Sequence, residues 1–322
     1  MKAPVRVAGI GVVCVPGGGA GEPVDLARRL PAVLAALART GPPVRLIQPI
    51  EEVAVLAAHE ALASAGVSTP AGGEDVGIAL GVEEGIDGIK AEYYRGILKD
   101  GLLGASPIMF PFTTPNTVAA RISILLDLRG ESFTLCGGTL SGAQAIGLAM
   151  NAVREAWSPA MLAGGVTSVG REFLDALART GRPDDGQAGS GACLFLLEPS
   201  TSSGGSRGTG ELLGYAEGFG REDVRDAVQA CLEDAGVRVE QVKGVWVTAG
   251  GDARALLEPL RRFAAKVPVR RPPAPSLYAA SFPLAVAEAV QAADAIPGPV
   301  LVIGRDCLAG ASAALVRGRA PR

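Results

Sequence analysis

Short apolar runs alternate with amphipathic segments along almost the whole chain, and this alternation restricts the fold more than any other feature of the sequence. Runs such as 5–13 (VRVAGIGVV, apolar apart from Arg6), 192–197 (ACLFLL) and 299–303 (PVLVI) are almost continuously apolar, as strands buried on both faces tend to be. Between them, 50–65 sets Val53, Leu56, Ala57 and Leu62 at helical spacing. Strands and helices taking turns in this way make an α/β protein.

The pattern predicts strands over 5–13, 76–81, 132–136, 160–164, 192–197, 211–218, 242–248, 299–303 and 313–316. It predicts helices over 50–65, 83–98, 116–126, 140–157, 221–235, 252–264 and 282–293. Asn116, after Pro115, reads as an N-cap. Gly164-Gly165 and Gly9-Ile10-Gly11 read as turns of the fold, since a nucleotide loop needs a third glycine in context. The elements form two series of similar order. Ala61 to Gly66 (ALASAG) and Ala230 to Gly236 (ACLEDAG) occupy matching places, which suggests an internal duplication with halves 1–185 and 186–322. Loops rich in Gly, Ser and Asp, 181–191 and 199–209, lie between the series.

Composition narrows the function. The 322 residues suffice for one large unit or two fused smaller ones, and 48% hydrophobic with 20% charged residues is a packed globular composition. A net charge of -3 and 4% aromatics argue against nucleic acid and against an acidic membrane surface. The five cysteines, Cys14, Cys136, Cys193, Cys231 and Cys307, are odd in number and widely spaced. That fits buried free thiols in a reducing compartment better than a disulfide framework or a zinc cage. No apolar stretch is long enough to span a bilayer, and the start lacks a signal-peptide pattern. A cytoplasmic protein without metal or cofactor is expected. The chain has one histidine, His59. Any mechanism that needs two imidazoles is excluded.

The segment Gly130 to Gly147 (GESFTLCGGTLSGAQAIG), followed by Met161 to Val166 (MLAGGV), resembles the nucleophile strand, elbow and helix of the β-ketoacyl synthases and the strand after them. VAGIGVV, EALASAG, EDVGIALG and SPIMFPFTTPNTVAARISILLDLRG upstream, and GSGACLFLLEP and ALVRG downstream, are similar to that family in the same order. The resemblance implies a thiolase-like fold, with two duplicated α/β halves in a five-layer αβαβα arrangement, and an obligatory dimer.

The family's chemistry rests on a cysteine thiolate at a helix N-terminus, two histidines and a supporting lysine. The resemblance puts Thr139 at the nucleophile position, with Cys136 three residues early. It puts Gly250 at the first histidine and Ala279 at the second, with the lysine near Ala274. The family's Gly- and Phe-rich oxyanion loop becomes Asp306 to Gly310. Trimmed connections at 179–191, at 219–221 and before PGPVLVIG shorten the parts that cap the family's active site.

The expected function is a non-catalytic ketosynthase-like subunit, closest to the chain length factor of type II polyketide systems. It would pair with an active ketosynthase as a heterodimer, serve an acyl carrier protein and shape an acyl tunnel. Phe110, Phe112, Thr113, Phe133, Thr134 and Cys136 are the tunnel or interface candidates; core packing explains the phenylalanines as well. Cys136 reads as a reactive thiol or, preferably, as a small buried residue on a dimer-interface strand. The hydroxyl of Thr139 is expected to cap the following helix. Arg261, Arg262, Lys266, Arg270 and Arg271 are carrier-docking candidates, or simply basic residues on a solvated helix end. Two other readings stand: an acyltransferase or hydrolase using Thr139, Ser141 or Cys136 with Asp252 or Asp306 as base, and a structural partner of biosynthetic enzymes.

Overall fold

A computed structural model describes residues 2–14, 26–38, 48–68, 73–83, 85–179, 189–200, 209–220, 222–248, 257–261, 266–270, 278–292, 296–306 and 310–318. Strands are β1 (Val5–Cys14), β2 (Val76–Val82), β3 (Ser132–Leu135), β4 (Ala160–Thr167), β5 (Gly191–Pro199), β6 (Gly210–Gly218), β7 (Gly244–Val247), β8 (Val269–Arg270), β9 (Val300–Asp306) and β10 (Gly310–Gly318). Helices are α1 (Leu26–Ala38), α2 (Pro49–Ser64), α3 (Asp87–Asp100), α4 (Asn116–Leu126), α5 (Ser141–Arg154), α6 (Arg171–Arg179), α7 (Asp223–Ala235) and α8 (Ser281–Gln291).

The strand order is β3-β2-β4-β5-β1-β6-β10-β9-β7-β8. It is one five-strand pattern followed by its mirror. In each half the outer three strands run parallel, the fourth is antiparallel, and the strand that opens the half lies innermost. The halves are joined where Val5, Arg6 and Val7 pair with Leu212, Glu211 and Gly210. This is the expected duplication, expressed in topology. The expected boundary at 185/186 falls outside the described residues, and β5, which follows it in the chain, pairs with β4 and β1 in the first half-sheet.

Three cores give the five layers. α2 and α4 cover the outer face of the first half. α5 and α8 fill the space between the halves, with Phe195, Trp246 and Phe282 fully buried there. α7 covers the outer face of the second half. Burying each of these large side chains contributes about 1.5–3 kcal/mol.

The glycine pairs read as turns lie inside strands instead. A Cβ on Gly9 or Gly11 would sit 2.1 or 2.0 Å from the carbonyl oxygens of Ala61 or Ala57, so α2 rests directly on the β1 backbone. Gly164 and Gly165 likewise belong to β4, which continues to Thr167. Asn116 is not the cap of α4. Pro115 holds that position in a helical conformation and the helix begins at Asn116, because the preceding 3-10 turn Phe110–Thr113 already directs the chain. α3 starts later than predicted, since Gly85 takes φ 114° and its N–H is accepted by the Asp87 carboxylate. The periodicity did not reveal α1 or α6. Most of the helix expected over 252–264 lies outside the described residues; a 3-10 turn, Glu258–Leu260, is seen within it. Cys14, Cys193 and Cys231 are buried free thiols, Cys136 is exposed in this chain, and Cys307 lies outside the described residues.

Candidate functional site

β3 ends at Leu135, and the chain turns through Cys136 and Gly137 into a 3-10 turn, Gly138–Leu140, that leads into α5. Gly138 takes φ 81°, a left-handed conformation open to glycine at no steric cost. The Ser141 hydroxyl closes the turn. It accepts the Gly137 N–H at 2.7 Å and donates to the Gly138 carbonyl at 2.7 Å. Its proton is thus committed to the backbone.

Thr139 does not cap α5 as expected. Its hydroxyl donates to Oδ2 of Asp306 at 2.7 Å, and its backbone N–H donates to the same oxygen at 3.1 Å. Thr139 lies within the 3-10 turn, where its own N–H needs an acceptor, and a carboxylate at a helix N-terminus is a strong one. A Cβ on Gly138 would come within 3.0 Å of the same carboxylate oxygen, so Asp306 lies directly over the elbow.

Ala279 sits in the 3-10 turn Tyr278–Ala280 ahead of α8 and is fully buried. Its carbonyl presses on the elbow: a Cβ on Gly142 or Gly165 would be 2.0 or 1.9 Å from that oxygen. Gly250, Asp252 and Ala274 lie outside the described residues. His59 is on α2, in the outer core, while α5 is in the central core, so the first sheet separates them. Burial pushes the His59 pKa down. Partial shielding pushes the Cys136 thiol pKa up, and the nearby Lys90 of α3 partly offsets it.

The tunnel candidates do not gather around one point within this chain. Phe133 packs into the central core. Phe112 stays with the outer helices: the Arg121 guanidinium lies 5.0 Å over its ring, and Gln48 Nε2 donates to its carbonyl at 3.1 Å. The Thr113 hydroxyl donates to the Phe110 carbonyl at 2.7 Å. Phe110 is exposed, and Thr134 is half-buried in the edge strand β3. An open groove of about 410 Å³ lies on the outer face of α7 and includes none of these residues. Of the basic candidates, Arg261 pairs with Glu258 at 3.6 Å, Arg270 lies 5.4 Å over the Trp246 ring, and Lys266 is exposed. Arg262 and Arg271 lie outside the described residues.

A polar group behind the elbow escaped the sequence reading. Gln144 of α5 donates to Glu217 at 3.3 Å, and the Tyr215 hydroxyl donates to the same carboxylate at 3.0 Å. Burial, reinforced by the charge of Glu217, drives the Tyr215 pKa well above its ordinary value. The Tyr215 ring lies on Gly147, where a Cβ would be 2.1 Å from it. Gly147 was visible in the motif; its partner, far away in sequence, was not. Among the described residues no group of three or more His, Cys, Asp or Glu is placed to hold a metal, and no helix is long and apolar enough to cross a membrane.

A strand, a glycine elbow and a central helix between mirrored half-sheets define a thiolase-like ketosynthase scaffold. Residues 32–181 match the family model for the beta-ketoacyl synthase N-terminal domain. Nodulation protein E of Rhizobium meliloti (strain 1021) is 30% identical over 223 residues, covering 60% of this chain and 54% of that protein. The chain spans about half or less of the length of the curated relatives it matches. Among solved structures, the ishigamide ketosynthase/chain length factor superposes with a TM-score of 0.73 at 18% identity, covering 98% of this chain and 100% of that one. A type II PKS acyl-carrier protein in complex with its ketosynthase bound to the hexaketide gives 0.77 at 15% identity, covering 99% and 100%. At those identities the likeness is one of fold.

Proposed function

We propose that this chain is a non-catalytic ketosynthase-like subunit that pairs with an active ketosynthase and helps shape the tunnel for a carrier-bound acyl chain. The observation that carries the proposal is the elbow. Thr139, which the resemblance puts at the nucleophile position, is hydrogen-bonded to Asp306, and the chain's one histidine is on α2 in the outer core. Carbon–carbon condensation then has neither a thiolate nor an imidazole pair to draw on.

The pairing rests on exposed apolar surface. None of the 14 residues of α3 is buried, although helices this short need tertiary packing to persist. Tyr94, Leu98, Leu102, Leu103, Ile108 and Phe110 stand exposed on α3 and the turns after it. β3 is the end strand of the sheet, with one edge left for a partner strand. A second thiolase-like chain fits a surface of that kind, and Phe110, Phe112, Thr113, Phe133, Thr134 and Cys136 would meet it there. Arg261, Arg262, Lys266, Arg270 and Arg271 would receive an acidic carrier protein. The two halves would act as one rigid unit in the cytoplasm.

Co-expression with a ketosynthase and a carrier protein from the same pathway, followed by native mass measurement, tests the proposal. A one-to-one complex with the ketosynthase is expected. A self-sufficient homodimer that condenses malonyl units would overturn it. One observation favours a second reading, acyl transfer or hydrolysis: the 2.7 Å contact between the Thr139 hydroxyl and the Asp306 carboxylate resembles a nucleophile and its base. Against it, Asp306 also takes the Thr139 N–H, a donor that an oxyanion would need.

A further inference from the structure

We infer that Asp306 is the residue that closes this elbow to acyl groups, its carboxylate filling from within the chain the space that a thioester carbonyl or a thiolate would occupy. The inference deepens the non-catalytic reading of the same site and rests on it. A strand-to-helix turn backed by a 14-residue helix points free N–H groups and the positive end of a dipole at one spot. Such a spot attracts an anion. Here the anion is supplied internally, with Oδ2 of Asp306 3.1 Å from the Thr139 nitrogen and 2.7 Å from its hydroxyl oxygen.

Two consequences follow. The N–H of residue 139 is already spent. Any negative charge forming at residue 139, or on a carbonyl oxygen beside it, would also face a fixed carboxylate, and a like charge at that range disfavours ionisation. Replacing Thr139 alone therefore leaves the site closed. Asp306 is carried by β9, whose first five residues are buried, so the second half-sheet sets its position.

The test uses the full chain with Cys136→Ser as background, to remove the exposed thiol next to the elbow. Thr139→Cys and Thr139→Cys/Asp306→Asn are compared in that background. Each is alkylated with iodoacetamide across a pH series, and the peptide containing residue 139 is followed by mass spectrometry. The thiolate sulfur forms the new S–C bond, iodide leaves, and the thiol proton goes to solvent. With Asp306 present, the thiol is expected to titrate above the ordinary cysteine value of about 8.5. With Asp306→Asn added, its pKa should fall by at least one unit, giving roughly tenfold faster alkylation at pH 7. Superimposable pH profiles would overturn the inference.

A second measurement needs no variant. The wild-type protein is incubated with the N-acetylcysteamine thioester of a short fatty acid, and its intact mass is read. No ester at Thr139 is expected. An acyl group found there, with the thiol released, would overturn the inference even if the variants fail to fold. Neither measurement involves a partner, so a failure to pair with a ketosynthase and a failure of this inference are read separately.

Discussion

Helix α5 meets the second half of the chain at both of its ends, and each contact places a carboxylate from that half on the helix. At the C-terminal end every nitrogen of the Arg154 guanidinium has a partner: Nη1 donates to Asp234 at 2.7 Å, Nε to the Ala3 carbonyl at 2.8 Å and Nη2 to the Leu213 carbonyl at 2.9 Å. Asp234 in turn accepts the Tyr215 N–H at 3.3 Å and pairs with Lys2 at 3.3 Å. The Arg154 and Asp234 side chains are only 5% and 11% exposed, so the desolvation of both charges is offset by a nearly complete set of partners. At the N-terminal end, Asp306 gives one oxygen to two donors in a half-buried turn. Both contacts suit the helix dipole, acid at the start and base at the end. The first is an anchor, because the two charges are largely shielded and hold several partners each. The second occupies the place where this scaffold presents free backbone donors, so there the same kind of contact excludes chemistry.

Breaking the anchor has the largest expected effect. Arg154→Ala leaves the largely shielded Asp234 without its main partner and frees two carbonyls, which should cost about 3 kcal/mol in chemical denaturation. Asp306→Ala should cost much less, about 1–2 kcal/mol by the same measurement, since water can reach the Thr139 donors. Equal losses from the two variants would erase the distinction between anchor and plug.

Acid titration sharpens the comparison. Burial alone would raise the Asp234 pKa, but the Arg154 hydrogen bond and charge, the Tyr215 N–H and Lys2 together hold it below the usual value. A depressed carboxylate contributes stability that is present above the unfolded-state pKa and lost as pH falls through the folded one. Urea midpoints of the wild type should therefore drop below about pH 4, and Arg154→Ala should lack that share of the drop. The smallest effect is expected at His59. His59→Gln should change stability by no more than about 0.5 kcal/mol and leave carbon–carbon bond formation by a ketosynthase complex unchanged, as measured by product yield beside the wild type.

Much of the scaffold was legible because its signals are local. Continuous apolar runs located most of the strands, the 130–147 segment located the elbow, and ALASAG and ACLEDAG marked the two helices, α2 and α7, that take equivalent places on the mirrored half-sheets. The errors are local-context errors. Gly9, Gly11, Gly164 and Gly165 resemble turns in one dimension, whereas in three they are where α2 and the turn before α8 lie against strand backbone. α3 was foreseen, but with its start placed at 83 and not at Asp87, because a helix with no buried face in its own chain carries no core stripe to mark where it begins. At the site, Thr139, Ser141 and Asp306 were all named from the sequence. That Thr139 and Asp306 touch was not readable, because 167 residues separate them.

The sequence by itself determined the α/β class, the duplicated order of elements and the shortage of imidazoles, since these depend on composition and on neighbours within a few residues. Only the tertiary structure decided which carboxylate lies on the elbow and which arginine locks the far end of α5. Those contacts depend on how two half-sheets close around a shared helix, and short-range periodicity carries no information about which distant side chains that closure brings within hydrogen-bond reach.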